Sequence, residues 1–158
     1  MDGEQRIGGV IPVLVTPFDE DEVVVHEDVA RQVEAAVAFG VDAVCLPAYA
    51  SEFYKLSREE RIAVVKTAVE AARGRVRIIG QSNQPSARLA ADLARANRDN
   101  GADLISFAIP RQFGATDADI AAYCARICES VETPVLIQDF NPGGATAGPA
   151  FCWDLADR

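Results

Sequence analysis

Short apolar runs alternate along the chain with longer stretches whose apolar residues recur at helical spacing. Residues 10–15, 41–46, 76–80, 102–110 and 134–137 are rich in Val, Ile and Leu and bounded by Pro, Gly or polar residues. They read as strands covered on both faces. Between them, Val29, Val33, Ala36 and Val37 mark one helix face from Asp28 up to Gly40. Ser57 and Glu60 form a capping box, in which hydroxyl and carboxylate satisfy the free N–H groups of a helix start. That helix runs through Ile62, Val65, Ala68 and Val69 to Gly74. A third is placed with Pro85 in its first turn, where a missing N–H costs nothing, and passes Leu89, Leu93 and Ala96 to Gly101. Thr116 to Asp119 caps a fourth helix carrying Ile120, Cys124 and Ile127, and a short piece from Phe151 to Arg158 follows the fifth strand.

Strand–helix alternation of this kind predicts a parallel sheet with right-handed crossovers. A weak internal repeat refines that expectation. Gly40-Val-Asp-Ala-Val44 resembles Gly101-Ala-Asp-Leu-Ile105, and Arg75-Val-Arg-Ile-Ile79 resembles Thr133-Pro-Val-Leu-Ile137. Two strand–helix units per repeat suit a barrel whose alternate strands share inward layers. The fold expected is α/β: a partial (β/α)8 TIM barrel of about five βα units over residues 8–158, with residues 1–7 a flexible N-terminus.

Composition adds exclusions. At 158 residues, 49% apolar and 25% charged, the chain suits one ordinary core-forming domain. A formal net charge of -9 with no basic stripe argues against nucleic acid or an anionic membrane as partner. No apolar stretch is long enough to span a bilayer, and the acidic opening residues do not read as a signal peptide. Cys45, Cys124, Cys128 and Cys152 lack the companion ligands of a metal site, since the single histidine, His26, is distant. They read as free thiols of a cytoplasmic protein, and no metal or cofactor is called for.

In parallel α/β folds ligands bind at the carboxyl ends of the strands. The candidates are Thr16 after the first strand and Tyr49, Ser51 and Glu52 after the second. Gln81, Ser82 and Asn83 follow the third, Arg111 and Gln112 the fourth, and Gln138, Asp139 and Asn141 the fifth. Each has a plainer reading. Thr16 can shape the turn before Pro17, Glu52 can pair with a neighbour, and Arg111 can be a solvated loop residue. Gln138 and Asp139 are less easily dismissed, because polar residues directly after a buried apolar strand are poorly placed for packing alone.

Residues 9–18, reading GVIPVLVTPF, resemble the first strand of the dihydrodipicolinate synthase / N-acetylneuraminate lyase family. The segment from Ser51 to Arg61 is similar to that family's stretch after strand two, where Gly-Glu-Phe precedes a Leu-Ser/Thr capping box. Gly101-Ala-Asp103 and Pro134-Val-Leu-Ile137 fall where strands four and five are expected. The resemblance implies a complete (β/α)8 barrel, a homo-oligomer, and class I aldolase chemistry on a pyruvate-like 2-oxo acid. There a strand-six lysine forms a Schiff base, whose imine stabilises the adjacent carbanion. Taken with the strand-end candidates, the expectation is catalytic positions at Gln138, Asp139 and Thr16, and substrate-binding positions at Tyr49, Ser51, Glu52, Ser82 and Arg111.

The sequence departs from that pattern. The family's hydroxyl pair falls on Tyr49 and Ala50, Ser51 stands where the family has glycine, and the relay tyrosine falls on Gln138. The tyrosines after strand four are replaced around Arg111 and Gln112. The lysines are Lys55 and Lys66, and neither matches the Schiff-base position. The expectation is a lyase or synthase truncated before strand six and inactive alone, with open edges that promote self-association. Two alternatives stand beside it: a non-catalytic scaffold or binding protein on the same fold, and a flavodoxin-like small-molecule binding domain.

Overall fold

The computed structural model describes residues 7–111, 114–140, 144 and 146–156. Four parallel strands form one sheet in the order β1 (Ala43–Leu46), β2 (Arg77–Gln81), β3 (Leu104–Ala108) and β4 (Val135–Gln138). Helices α1 (His26–Ala38), α2 (Arg58–Ala72), α3 (Ala87–Asp99) and α4 (Asp117–Cys128) alternate with them, and α5 (Pro149–Ala156) ends the described chain.

The first predicted strand is a correction. Residues 10–14 lie parallel to β1 but contribute only one bridge, Val13 to Cys45. Leu14 N–H donates to the Cys45 carbonyl at 3.1 Å, and Cys45 N–H donates to the Pro12 carbonyl at 3.0 Å. Pro12 has no N–H of its own, so the ladder cannot continue as a regular strand. The spatial order is therefore this segment, then β1 to β4, strictly sequential. A flavodoxin-like order, which would place the first strand between the second and third, is overturned. A smaller correction concerns Pro85, which sits just ahead of the helix rather than in its first turn. Ser86 is the N-cap of α3, and its hydroxyl accepts from Leu89 N–H.

Both capping boxes form, at Ser57 with Glu60 and at Thr116 with Asp119. Strand side chains divide by alternation. Val44, Leu46, Ile78, Ile105 and Phe107 join the large core beneath the helices. Ala43, Cys45, Ile79 and Leu104 form a smaller cluster on the opposite face, against Ile7 and Ile11. β1 to β3 are buried almost throughout and β4 is half-buried, as a sheet edge should be. At the other edge Val10, Val13 and Val15 are exposed. No helix among the described residues is long and apolar enough to cross a membrane.

Gly80 sets how closely α3 approaches the sheet. A Cβ there would lie 3.0 Å from Asn97 Cβ and 3.2 Å from Ala102 Cβ. Neither neighbour is a free side-chain tip, so Gly80→Ala must push the helix outward. The expected cost is about 1–3 kcal/mol in chemical denaturation. An unchanged midpoint would show that α3 adjusts freely and that this contact does not set the spacing.

Candidate active site

The polar residues that follow β2 are held by a cation from α2. Arg61 is 2% exposed and lies on the buried stripe of its helix with Val64, Val65 and Ala68. Its guanidinium donates to the Asn83 carbonyl at 2.9 Å and the Gln81 carbonyl at 3.3 Å, and lies 4.8 Å from the centre of the Phe53 ring. Burial lowers its pKa to about 10, so it remains charged at neutral pH. Asn83 passes the order onward, its Oδ1 accepting from Ala108 N–H at 2.6 Å. Asn97 Nδ2 adds a second donor to the Gln81 carbonyl at 3.3 Å.

Inward-facing side chains pair across alternate strands. Gln81 Nε2 on β2 donates to Gln138 Oε1 on β4 at 2.7 Å. Cys45 Sγ on β1 lies 3.7 Å from Ser106 Oγ on β3. Contacts that skip a strand are what inward layers of a curved parallel barrel produce.

Two clefts open at the carboxyl ends. One, of about 420 Å³, is framed by Val13 from the N-terminal segment and by Ala48, Tyr49, Ala50, Gln138, Asp139 and Phe140, so it spans the mouth of the arc. The other, of about 550 Å³, lies to the side and includes Phe53, Arg61, Asn83, Ile109 and Arg111. Tyr49 and Phe140 line both, with ring centres 5.2 Å apart.

The structure brings some expected site residues together and engages others elsewhere. Tyr49, Gln138 and Asp139 share the central cleft. Arg111 borders the side cleft and reaches Asp139, its Nε and Nη2 donating to Oδ1 at 2.9 and 2.6 Å. The other Asp139 oxygen accepts from Ala147 N–H. Partial desolvation works to raise the Asp139 carboxyl, but the Ala147 amide and Arg111 outweigh it and hold the pKa below its ordinary value. Ser51 is 1% exposed, donating to the Leu14 carbonyl and accepting from Ala48 N–H at 2.9 Å. Thr16 donates to the Ser51 carbonyl at 2.6 Å, so both hydroxyls tie the loop after β1 to the N-terminal segment. Glu52 pairs with Lys55 at 2.9 Å, and Ser82 is fully buried with its hydroxyl on the Ser106 carbonyl at 3.3 Å. Gln112 and Asn141 lie outside the described residues. Arg61, Asn97 and Phe140 were not anticipated. For Arg61 and Asn97 the signal was position: each falls on the apolar stripe of its helix.

The sequence profile of the Dihydrodipicolinate synthetase family matches residues 6–147. A 4-hydroxy-tetrahydrodipicolinate synthase from Methanopyrus kandleri is 31% identical, over 97% of this chain and 52% of its own length. The crystal structure of dihydrodipicolinate synthase from Aquifex aeolicus matches with a TM-score of 0.90 and 25% identity, over 96% of this chain and 52% of that one. A prophage protein of the dihydrodipicolinic acid synthase family from Escherichia coli, solved in complex with pyruvate, matches with a TM-score of 0.89 and 27% identity, over 94% and 50%. The chain spans about half the length of the relatives it matches. The fold is thus a partial (β/α)8 barrel.

Because Asp139 has a lowered pKa, its ion pair stabilises the loops above the ordinary carboxyl value and is lost as pH falls through the lower folded value. The expected NMR titration midpoint of its carboxyl carbon lies below about 3.9, and Arg111→Gln should raise it. A midpoint at or above the ordinary value would show that Arg111 and Asp139 do not pair in solution.

Proposed function

The chain belongs to the dihydrodipicolinate synthetase family, and on that premise we propose that it supplies the N-terminal half of a carbon–carbon or carbon–heteroatom lyase or synthase of the class I aldolase type. Its substrate is a pyruvate-like 2-oxo acid bound at the carboxyl ends of the strands. The observation that carries this reading is the central cleft. It collects Tyr49, Gln138 and Asp139, three of the eight residues expected from the sequence, at the end of the sheet where parallel α/β folds bind ligands. The pyruvate bound in the E. coli relative supports the substrate class. Cytoplasmic location and homo-oligomerisation are part of the same proposal, as is the covering of the exposed Val10, Val13 and Val15 edge on assembly.

A second reading, a binding or scaffold protein on the same fold, is favoured by one feature. Both Asp139 oxygens are engaged, and a glutamine amide stands where the family has a phenol, so this half of the cleft offers no free base at those two positions.

Neither lysine of the chain suits imine formation. Lys55 is exposed and its hydrogen bond to Glu52 raises its pKa. It is therefore protonated at neutral pH and a poor nucleophile. Lys66 lies on the outer side of α2, 3.9 Å from Glu70. Incubation with pyruvate followed by borohydride should leave the intact mass unchanged. Stoichiometric addition mapped to Lys55 would contradict this and reveal a relocated Schiff base.

A further inference from the structure

We infer that Gln81 is a positioning residue, which turns the Gln138 amide so that its NH2 group faces the central cleft and donates to the carboxylate or 2-oxo oxygen of the bound acid. The inference rests on reading the cleft as a 2-oxo acid site and adds what this half of it does: it binds and orients.

Gln138 lines the cleft, and its Oε1 is taken by Gln81 Nε2 at 2.7 Å. The remaining hydrogen-bonding capacity of the Gln138 amide is mainly its two N–H donors. Gln81 is fully buried, and Arg61 and Asn97 fix its carbonyl, so it is a rigid anchor. The reverse pairing, with Gln138 donating, would turn the Gln81 NH2 to the buried position that its Oε1 occupies. Of the atoms of these two amides, the observed pairing leaves Gln81 Oε1 buried without a partner. An unpaired buried oxygen is more readily tolerated than an unpaired N–H, so the observed orientation wins.

The neighbouring groups agree. Asp139, the anion nearest in sequence, is tied by Arg111 and by Ala147 N–H, so it does not compete for the Gln138 donors. The Tyr49 phenol shares the cleft and can donate as well. A lining that presents donors selects a ligand rich in acceptors, which a 2-oxo carboxylate is. It also separates binding from proton transfer, because an amide in this setting carries no exchangeable charge at neutral pH.

The test is titration of the full chain with pyruvate, read from the side-chain amide of Gln138 in nitrogen-15 NMR spectra. In the unmodified chain that amide should shift saturably, with an affinity flat from about pH 6 to about pH 9. Arg61, which holds the Gln81 carbonyl, stays charged in that window, Asp139, next to Gln138 in the chain, stays ionised, and burial raises the Cys45 thiol. Gln81→Glu places an isosteric acid in a buried site, where its pKa rises. While neutral it donates to Gln138 and the affinity matches the unmodified chain. Once ionised it can only accept, so Gln138 must flip and present its oxygen to the pyruvate carboxylate. Affinity should then fall roughly tenfold by about pH 9. Should that variant not fold, Gln81→Met decides: it removes the anchor without charge and should weaken binding roughly fivefold at every pH. Variants that bind as tightly as the unmodified chain across the window would overturn the inference and leave the 2-oxo acid reading intact. No pyruvate-dependent shift anywhere in the unmodified chain would contradict that reading, and this inference with it.

Discussion

A buried guanidinium with no carboxylate partner among the described residues holds the carboxyl end of the sheet in place. Placing Arg61 in the core costs desolvation energy, visible in a pKa drawn down to about 10. Two main-chain carbonyls and the Phe53 ring offset that cost. The same contacts supply N–H donors to the carbonyls of Gln81, the last residue of β2, and of Asn83 just beyond it, where the regular ladder gives out. Asn83 then fixes Ala108 at the end of β3, and Gln81 reaches Gln138 at the end of β4. One side chain on α2 thus organises the termini of three strands.

That order explains which cleft residues remain available. The loop after β1 is fastened from below by Ser51 and Thr16, whose hydroxyls are spent on main-chain groups. The loops after β3 and β4 are fastened to each other by Arg111 and Asp139. What faces the mouth is then an aromatic wall of Tyr49 and Phe140 with the Gln138 amide beside it. The departures from the family pattern at Tyr49, Ala50 and Gln138 form one consistent surface, apolar and rich in donors.

Much of this was legible in the chain because it is local. Four of the five expected strands form from short, largely apolar runs, and the Ser57 and Thr116 caps announce their helices by side-chain chemistry confined to a few residues. The first strand was over-read, since apolar content alone does not reveal that Pro12 breaks the ladder. At the site, Gln138 and Asp139 stood out because polar groups ended an apolar run. Arg61 did not, since a charged residue directly after a capping box resembles a solvated helix face. Only its register with Val64, Val65 and Ala68 marks it as buried, and register becomes informative once the buried face of the helix is known. The engagement of Ser51 depends on Leu14, far away in sequence, which no local pattern shows.

Hydrogen exchange in the Arg61→Met variant tests the account most directly. The Ala108 amide donates to Asn83 Oδ1, and Arg61 holds the Asn83 carbonyl, so its protection reports whether the guanidinium orders the strand ends. The expected result is a loss of protection at Ala108 of roughly tenfold or more, while amides in the middle of α1 and α4 keep theirs. Unchanged protection at Ala108 in a folded variant would contradict the claim that this buried cation organises the site.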